Sequence, residues 1–262
     1  MTHTDISIIV PCYNECANIR PLVKALHSAL GDYSWEVVFV DDNSPDGTIH
    51  EVRKLAAENS HVRGILRIGR KGLSSAVIEG ALSSSASVIA VMDGDMQHDE
   101  TCLPAMIRAI LDDQHDMAVA SRHIEGGSCD GLSSAWRHLL SQSGIKLAQC
   151  LTSAPVTDPM SGFFAMKREW FEARAPELSG KGFKILLELL LVSSEPVKLK
   201  EVPMVFRDRL HGESKLSPKV MILFLVMLAE NLLKKSRIKC LKFPLLTILI
   251  SSALFLFWRK KA

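Results

Sequence analysis

Over the first half of the chain, apolar residues gather in short, nearly continuous runs such as ISIIV, WEVVFV, VIAVM and MAVA. Between the runs lie longer stretches whose apolar positions recur every three to four residues, the period of an amphipathic helix. Runs without polar alternation are what strands buried on both faces require, so the pattern predicts an α/β domain with a mainly parallel sheet flanked by helices. Strands are expected at 6–10, 35–40, 62–66, 88–92 and 117–120, with helices at 17–30, 48–59, 73–84 and 101–112. No internal repeat or low-complexity linker interrupts this alternation.

After Ser121 the pattern loosens. HIEGGSCDG reads as a loop, 136–151 as a helix, TDPMSGFFAMK as a turn leading into a short strand, 182–192 as a helix and 197–205 as extended chain. This region reads as an elaboration that closes over a site of the same domain. Two apolar segments follow, 220–233 and 243–258, separated by the basic stretch KKSRIKCLK. The 16 uncharged residues of the second would form a helix about 24 Å long at about 1.5 Å per residue. That is shorter than the roughly 30 Å hydrocarbon core, a gap that Trp258 and the flanking Lys and Arg could close by snorkelling. A short membrane helix is expected there, with a re-entrant or in-plane helix as the alternative. The first segment contains Glu230 and Asn231 and is expected to lie at the interface. The organisation expected is a catalytic domain at 1–217, an interface helix and basic connector at 218–242, and a membrane helix with basic tail at 243–262.

Charge sharpens this picture. The stretch from Lys234 onward holds eight of the 31 basic residues and none of the 29 acidic ones, so a formal +2 divides into −6 on the body and +8 on the tail. No basic stripe runs through the body, which argues against nucleic acid, and the tail suits an anionic membrane surface. Six cysteines form no paired CxxC units, and CYNEC lacks the two further ligands a zinc site needs. ISIIV is too short and lacks the basic leader of a signal peptide. Reduced thiols and a membrane-associated catalytic domain on the cytoplasmic face are therefore expected.

Ligands of parallel α/β sheets bind outside the carboxyl ends of the strands, and the polar clusters PCYNE, VDDNSPDGT, DGDMQ and SR all fall at such ends. In DGDMQ, Asp93 and Asp95 flank Gly94, and two neighbouring carboxylates tolerate each other when a cation lies with them. Oxygen ligands completed by phosphate oxygens and water are how Mg2+ or Mn2+ is usually held. A GxGxxG after the first strand and a GxxxxGK[ST] loop are both absent, which disfavours a redox dinucleotide enzyme and a P-loop ATPase.

Taken in order, SIIVPCYNECANI, VVFVDDNSPDGT, VIAVMDGDMQHDE, MAVASRHIEGGS, DPMSGFFAMKR and FRDRLHGESKL resemble glycosyltransferase family 2, in the branch that loads sugars onto polyprenyl phosphates, nearest to its dolichyl-phosphate mannosyltransferases. The resemblance implies a GT-A type Rossmann-like fold and a nucleotide-sugar donor, first choice GDP-mannose. It also implies a polyprenyl or dolichyl phosphate acceptor and Mg2+ or Mn2+ as cofactor. Pro11, Tyr13 and Glu15 match positions that hold the nucleoside, with Val40 and Asp42 closing around base and ribose. Asp93, Gly94, Asp95, Met96 and Gln97 match the segment that holds the diphosphate and metal, with Asp95 and Gln97 as direct ligands and Asp93 as a third candidate. Arg209 and Lys215 match basic residues at the phosphates, and Arg122 and Arg137 match acceptor-phosphate contacts. The residues expected to carry the chemistry are thus Asp93, Asp95, Arg122, Arg137, Arg209 and Lys215. His123 stands where the family commonly has Tyr, and Asp99 where a proline-containing turn is frequent.

Single displacement at the anomeric carbon inverts it. A phosphate monoester, with a second pKa of about 6, is already largely anionic at neutral pH and needs positive residues more than a base, whereas a hydroxyl acceptor needs a general base. Asp158 is the carboxylate of TDPMSGF that could be that base, or equally a turn cap. Glu188 is an acceptor-side candidate or a half-exposed helix residue; Lys181 and Lys184 face lipid phosphate or water; His98 and His211 read as loop histidines. The alternatives left open are another donor such as UDP-glucose or UDP-GlcNAc, a hydroxyl acceptor, and an inactive nucleotide-sugar binding module.

Overall fold

In a computed structural model of the chain, the residues described are 4–128, 152, 155–193 and 195–208. Strands form over the five segments expected, β1 Ile6–Cys12, β2 Trp35–Asp41, β3 Val62–Leu66, β4 Val88–Val91 and β5 Met117–Ser121, followed by β6 Phe164–Lys167 and β7 Leu199–Pro203. Between them run α1 Cys16–Leu30, α2 Thr48–Glu58, α3 Leu73–Leu82, α4 Leu103–Leu111, α5 Arg168–Glu172 and α6 Ile185–Val192. The helix expected at 101–112 divides into a 3-10 turn, Glu100–Cys102, and α4, because Pro104 enters at the start of the α-helix, where a missing N–H costs nothing.

The seven strands form one sheet in the order β3-β2-β1-β4-β6-β5-β7. All neighbours are parallel except β6, which is antiparallel to both β4 and β5. Side chains alternate across the sheet with period two, and both faces are covered. Ile8, Val10, Val37, Phe39, Val88 and Ala90 belong to the core on one face, with Leu22 and Leu26 of α1 and Met106 and Ile107 of α4. Ile9, Val38, Val40, Ile89 and Val91 point the other way, against Val77 of α3, Phe171 of α5 and Leu186 and Leu190 of α6. Helix α3 lies so close to the sheet that a Cβ at Gly80 would stand 2.5 Å from Ile9 and 2.8 Å from Val40.

This arrangement positions the site. The carboxyl ends of β1, β2, β3, β4, β5 and β7 open on one edge, and antiparallel β6 brings the residues before Phe164 to that same edge. Among the described residues no helix is long and apolar enough to cross a membrane. The helix expected at 136–151 and the apolar segments 220–233 and 243–258 lie entirely outside the described residues.

Candidate active site

Three turns at the carboxyl edge have non-glycine residues at positive φ: Asn14 (58°) after β1, Asn43 (57°) after β2 and Met96 (64°) after β4. Such a conformation persists only where surrounding bonds over-determine it, and here they do. Asn14 N–H donates to Ser44 Oγ at 2.9 Å, Glu15 N–H to Thr48 Oγ1 at 3.0 Å and Cys16 N–H to Asp46 Oδ2 at 3.0 Å, so the β1 turn is laced to the β2 turn. Glu15, almost buried, accepts from Asn18 Nδ2 at 2.8 Å.

Asp42 is held from the far side by Arg67, the residue directly after β3. The Arg67 side chain is only 1% exposed. Its Nη1 donates to Asp42 Oδ1 at 2.6 Å and to the Gly72 carbonyl at 3.1 Å, its Nη2 to Ser75 Oγ at 2.6 Å and its Nε to Glu79 Oε2 at 3.1 Å. Gly72 N–H completes the clasp by donating to Asp42 Oδ2 at 2.7 Å. Because the loop 68–72 is fixed this way, Lys71 Nζ sits 4.4 Å from the centroid of the Tyr13 ring and 3.3 Å from its hydroxyl. Tyr13, Glu15 and Asp42 therefore share one end of the edge, with Val40 beneath them in the sheet and Arg67 and Lys71 beside them.

The turn after β4 is closed by His98, whose Nδ1 accepts the Asp93 N–H at 3.1 Å. That bond leaves the ring proton on Nε2, which lies 3.8 Å from Asp93 Oδ2. Burial lowers the pKa of His98 well below its usual range and keeps the ring neutral, and the ring stacks on Phe163 with centroids 5.4 Å apart. Asp95 is 8% exposed and accepts the Gln97 N–H on Oδ1 at 3.2 Å. Gln97 Nε2 donates to the Arg207 carbonyl at 3.1 Å. A carbonyl can only accept, so the amide oxygen of Gln97 is turned to the opposite side.

These groups suit a hard divalent ion: carboxylates at Asp93 and Asp95 and an amide oxygen at Gln97, with no soft donor. Among the described residues no group of three His, Cys, Asp or Glu is arranged to hold a metal by itself. An ion held here would draw its remaining ligands from donor phosphates and water.

Beside Asp93 opens a cavity of about 140 Å³, lined among others by His98, Arg122, Gly162, Lys184 and Phe206. Arg122, just past β5, forms a two-bonded pair with Asp158, Nε to Oδ2 at 2.7 Å and Nη2 to Oδ1 at 3.1 Å. Asp158 is fully buried. Burial alone would raise its pKa, but the hydrogen bonds and charge of Arg122 hold it below the usual carboxylate range. Lys184 Nζ donates to the Met160 carbonyl at 2.8 Å, and burial, then the charge of Arg122, lower its pKa. Glu188, 1% exposed, accepts the Ser179 N–H at 2.6 Å and does not line the cavity. Its other oxygen finds no hydrogen-bond partner among the described residues. Arg137, Arg209 and Lys215 lie outside the described residues.

Gly162 enters the site on the approach to β6. A Cβ there would meet Asp93 Oδ2 at 2.9 Å and His98 Cε1 at 3.1 Å. Gly162→Ala is expected to displace the Asp93 carboxylate and lower kcat/KM at least about tenfold, the usual scale for misplaced reacting groups. The melting temperature should fall little. Steady-state rates beside a thermal melt check this, and activity equal to the parent with an unchanged melt would show that the site has room to give.

Residues 7–174 match the sequence profile described as Glycosyl transferase family 2. Dolichol-phosphate mannosyltransferase of Saccharomyces cerevisiae is 38% identical over 234 residues, covering 86% of this chain and 86% of that protein. The protein of the same name from Pyrococcus furiosus is 38% identical over 222 residues, covering 84% of this chain and 61% of its own length. Among solved structures, glucosyl-3-phosphoglycerate synthase from Mycobacterium tuberculosis, in complex with Mn2+, UDP and glucosyl-3-phosphoglycerate, superposes with a TM-score of 0.61 at 17% identity over 88% of this chain and 79% of that one. A mannosyltransferase from Pyrobaculum calidifontis, in complex with GDP-mannose and Mn2+, superposes with a TM-score of 0.59 at 18% identity over 97% and 70%. At such identities these structures establish the likeness of fold.

Proposed function

The chain belongs to glycosyl transferase family 2 and is a glycosyltransferase, and from that premise we propose that it transfers mannose from GDP-mannose, with inversion, to a dolichyl or other polyprenyl phosphate. The relatives named dolichol-phosphate mannosyltransferase support the sugar and the acceptor. The observation that carries the phosphate acceptor is the cavity beside Asp93: it is lined by the cations Arg122 and Lys184, and Asp158, the base a hydroxyl acceptor would require, is buried and locked on Arg122. A carboxylate whose pKa is depressed is a poor proton acceptor. An anionic phosphate oxygen needs none.

In this reading Tyr13, Glu15 and Asp42 hold the nucleoside, with Pro11 and Val40 packing beside it. Asp95 and Gln97, with Asp93 alongside, would hold Mg2+ or Mn2+, which supplies charge neutralisation to the leaving diphosphate. Arg209 and Lys215 add positive charge on the diphosphate, and Arg122, Arg137 and Lys184 orient the acceptor phosphate for attack on the face of the sugar opposite the leaving group. Fixed cations of this kind need no reorganisation as the bond breaks. Glu188 acts indirectly, by holding the Ser179 N–H and so the loop that delivers Lys184. A lipid acceptor requires the site mouth to meet a bilayer, and the apolar and basic stretches of 218–262 would attach the catalytic domain, 1–217, to its cytoplasmic face.

The test is product formation by the purified protein in detergent. GDP-mannose, UDP-glucose and UDP-GlcNAc are offered separately, each with a polyprenyl phosphate or the corresponding polyprenol, with Mn2+ or with EDTA. Mannosyl lipid phosphate from GDP-mannose alone, abolished by EDTA, is expected. Product on the polyprenol would restore the hydroxyl acceptor, another productive donor would replace mannose, and nucleotide binding without any turnover would leave a binding module.

A further inference from the structure

Four contacts join the segment after β7 to the turn after β4. Arg207 N–H donates to the Gln97 carbonyl at 2.9 Å, and Gln97 Nε2 returns a bond to the Arg207 carbonyl at 3.1 Å. The Arg207 guanidinium spans two carboxylates of the same turn, Nη2 to Asp99 Oδ1 at 2.7 Å and Nη1 to Glu100 Oε2 at 2.8 Å. Asp99 is itself fixed, because its Oδ1 also accepts Thr101 N–H at 3.1 Å and Thr101 Oγ1–H at 2.6 Å, capping the 3-10 turn. Met96, directly before the first of these anchors, stands at a φ of 64°, a conformation that relaxes when its constraints are removed.

We propose that Arg207 is a positioning residue for the metal-binding turn: its bridge to Asp99 and Glu100 holds the backbone pairing that turns the Gln97 amide oxygen toward the donor site. It is not a ligand. The inference rests on the reading of Asp95 and Gln97 as metal ligands. It adds that affinity for the ion is set partly from the segment after β7, by a residue outside the turn. Arg207 stands two positions before Arg209, so the same stretch of chain that steadies the ion continues to the cation expected at the phosphates.

The experiment uses full-length protein in detergent with saturating GDP and follows free Mn2+ by electron paramagnetic resonance during titration. Loss of a residue that orients a metal ligand typically weakens the ion about 10- to 100-fold, and that is expected for Arg207→Ala. Arg207→Lys should recover part of the loss. Asp99→Asn should move the constant in the same direction, and the Arg207→Ala/Asp99→Asn double variant should be no weaker than Arg207→Ala, as for groups acting through one contact. GDP affinity measured in EDTA should match the parent, and kcat should return toward the parent value as Mn2+ is raised. The Arg207 side chain is 38% exposed, so the thermal melt should move little. Parent-like Mn2+ affinity in Arg207→Ala overturns the inference, as does an equal loss of GDP affinity in EDTA, which marks general damage. A parent protein that takes up no Mn2+ with GDP present overturns the metal reading itself and this inference with it.

Discussion

Asp95→Asn should lower kcat/KM for the nucleotide-sugar donor by about a thousandfold, equivalent to roughly 4 kcal/mol at about 1.4 kcal/mol per decade. Asparagine keeps the shape of the side chain and an oxygen to accept the Gln97 N–H, now 3.2 Å from the Asp95 carboxylate. What it removes is the charge. The neighbouring carboxylate, Asp93, has a side chain 38% exposed at the cavity mouth, so the two acids are unequal: in the proposed reading the buried one is the direct ligand and the open one lies toward the acceptor cavity. The variant should melt as the parent does, which separates loss of the ion from loss of the fold. Activity within about threefold of the parent, measured across a full Mn2+ titration, would remove Asp95 from the ligand set.

Arg67→Ala is expected to be the most destabilising single change on the donor side. The substitution strands Asp42 and Glu79 without their shared cation and removes the guanidinium bonds to Ser75 Oγ and the Gly72 carbonyl. Breaking a buried pair by removing one partner costs about 3–5 kcal/mol, which for a chain of this size lowers Tm by roughly 10 °C or more. Arg67→Lys should recover little, since an ammonium on a flexible stem cannot reproduce a planar fork that meets four acceptors. Donor affinity should fall in both variants as Asp42 and the Lys71 loop lose their clasp. Differential scanning fluorimetry with GDP titration reads both effects, and a melt within about 2 °C of the parent would show that the network contributes little.

The difference between what the chain announces and what it conceals follows from range. Strands β1, β2, β4 and β5 were legible because a strand buried on both faces leaves a nearly continuous apolar run, and the donor turns were legible because their carboxylates immediately follow those runs. Arg67 follows the edge strand β3, after Leu66, and nothing local says that an arginine will be buried there; the approach of α3, with Ser75 and Glu79, makes it so. The pairing of Arg122 with Asp158 spans 36 residues, and it turns a candidate base into a counter-ion. Gly162 meets Asp93 only because β6 runs antiparallel between β4 and β5, and periodicity carries no sign of strand direction. The tie from Arg207 to the metal turn spans more than 100 residues and was equally invisible.

The antiparallel strand also sets an order of assembly. As the chain leaves the ribosome, β1, β2, β3 and β4 can pair in their final arrangement, since β1 already lies between β2 and β4, and the nucleoside end of the edge can form with them. Strand β4 then presents a bare apolar edge, VIAV, and β5 has neither of its final neighbours until residues 164–167 and later 199–203 have been made. An unpaired edge of that kind is a hazard for aggregation during synthesis. Only when β6 slides in do Gly162 and Asp158 arrive beside Asp93 and Arg122, so the side proposed to meet the acceptor takes shape after the nucleoside end, and Arg207 reaches the turn after β4 later still. A translational pause between β5 and β6 would therefore strand a chain with half of its active site built and its sheet still open.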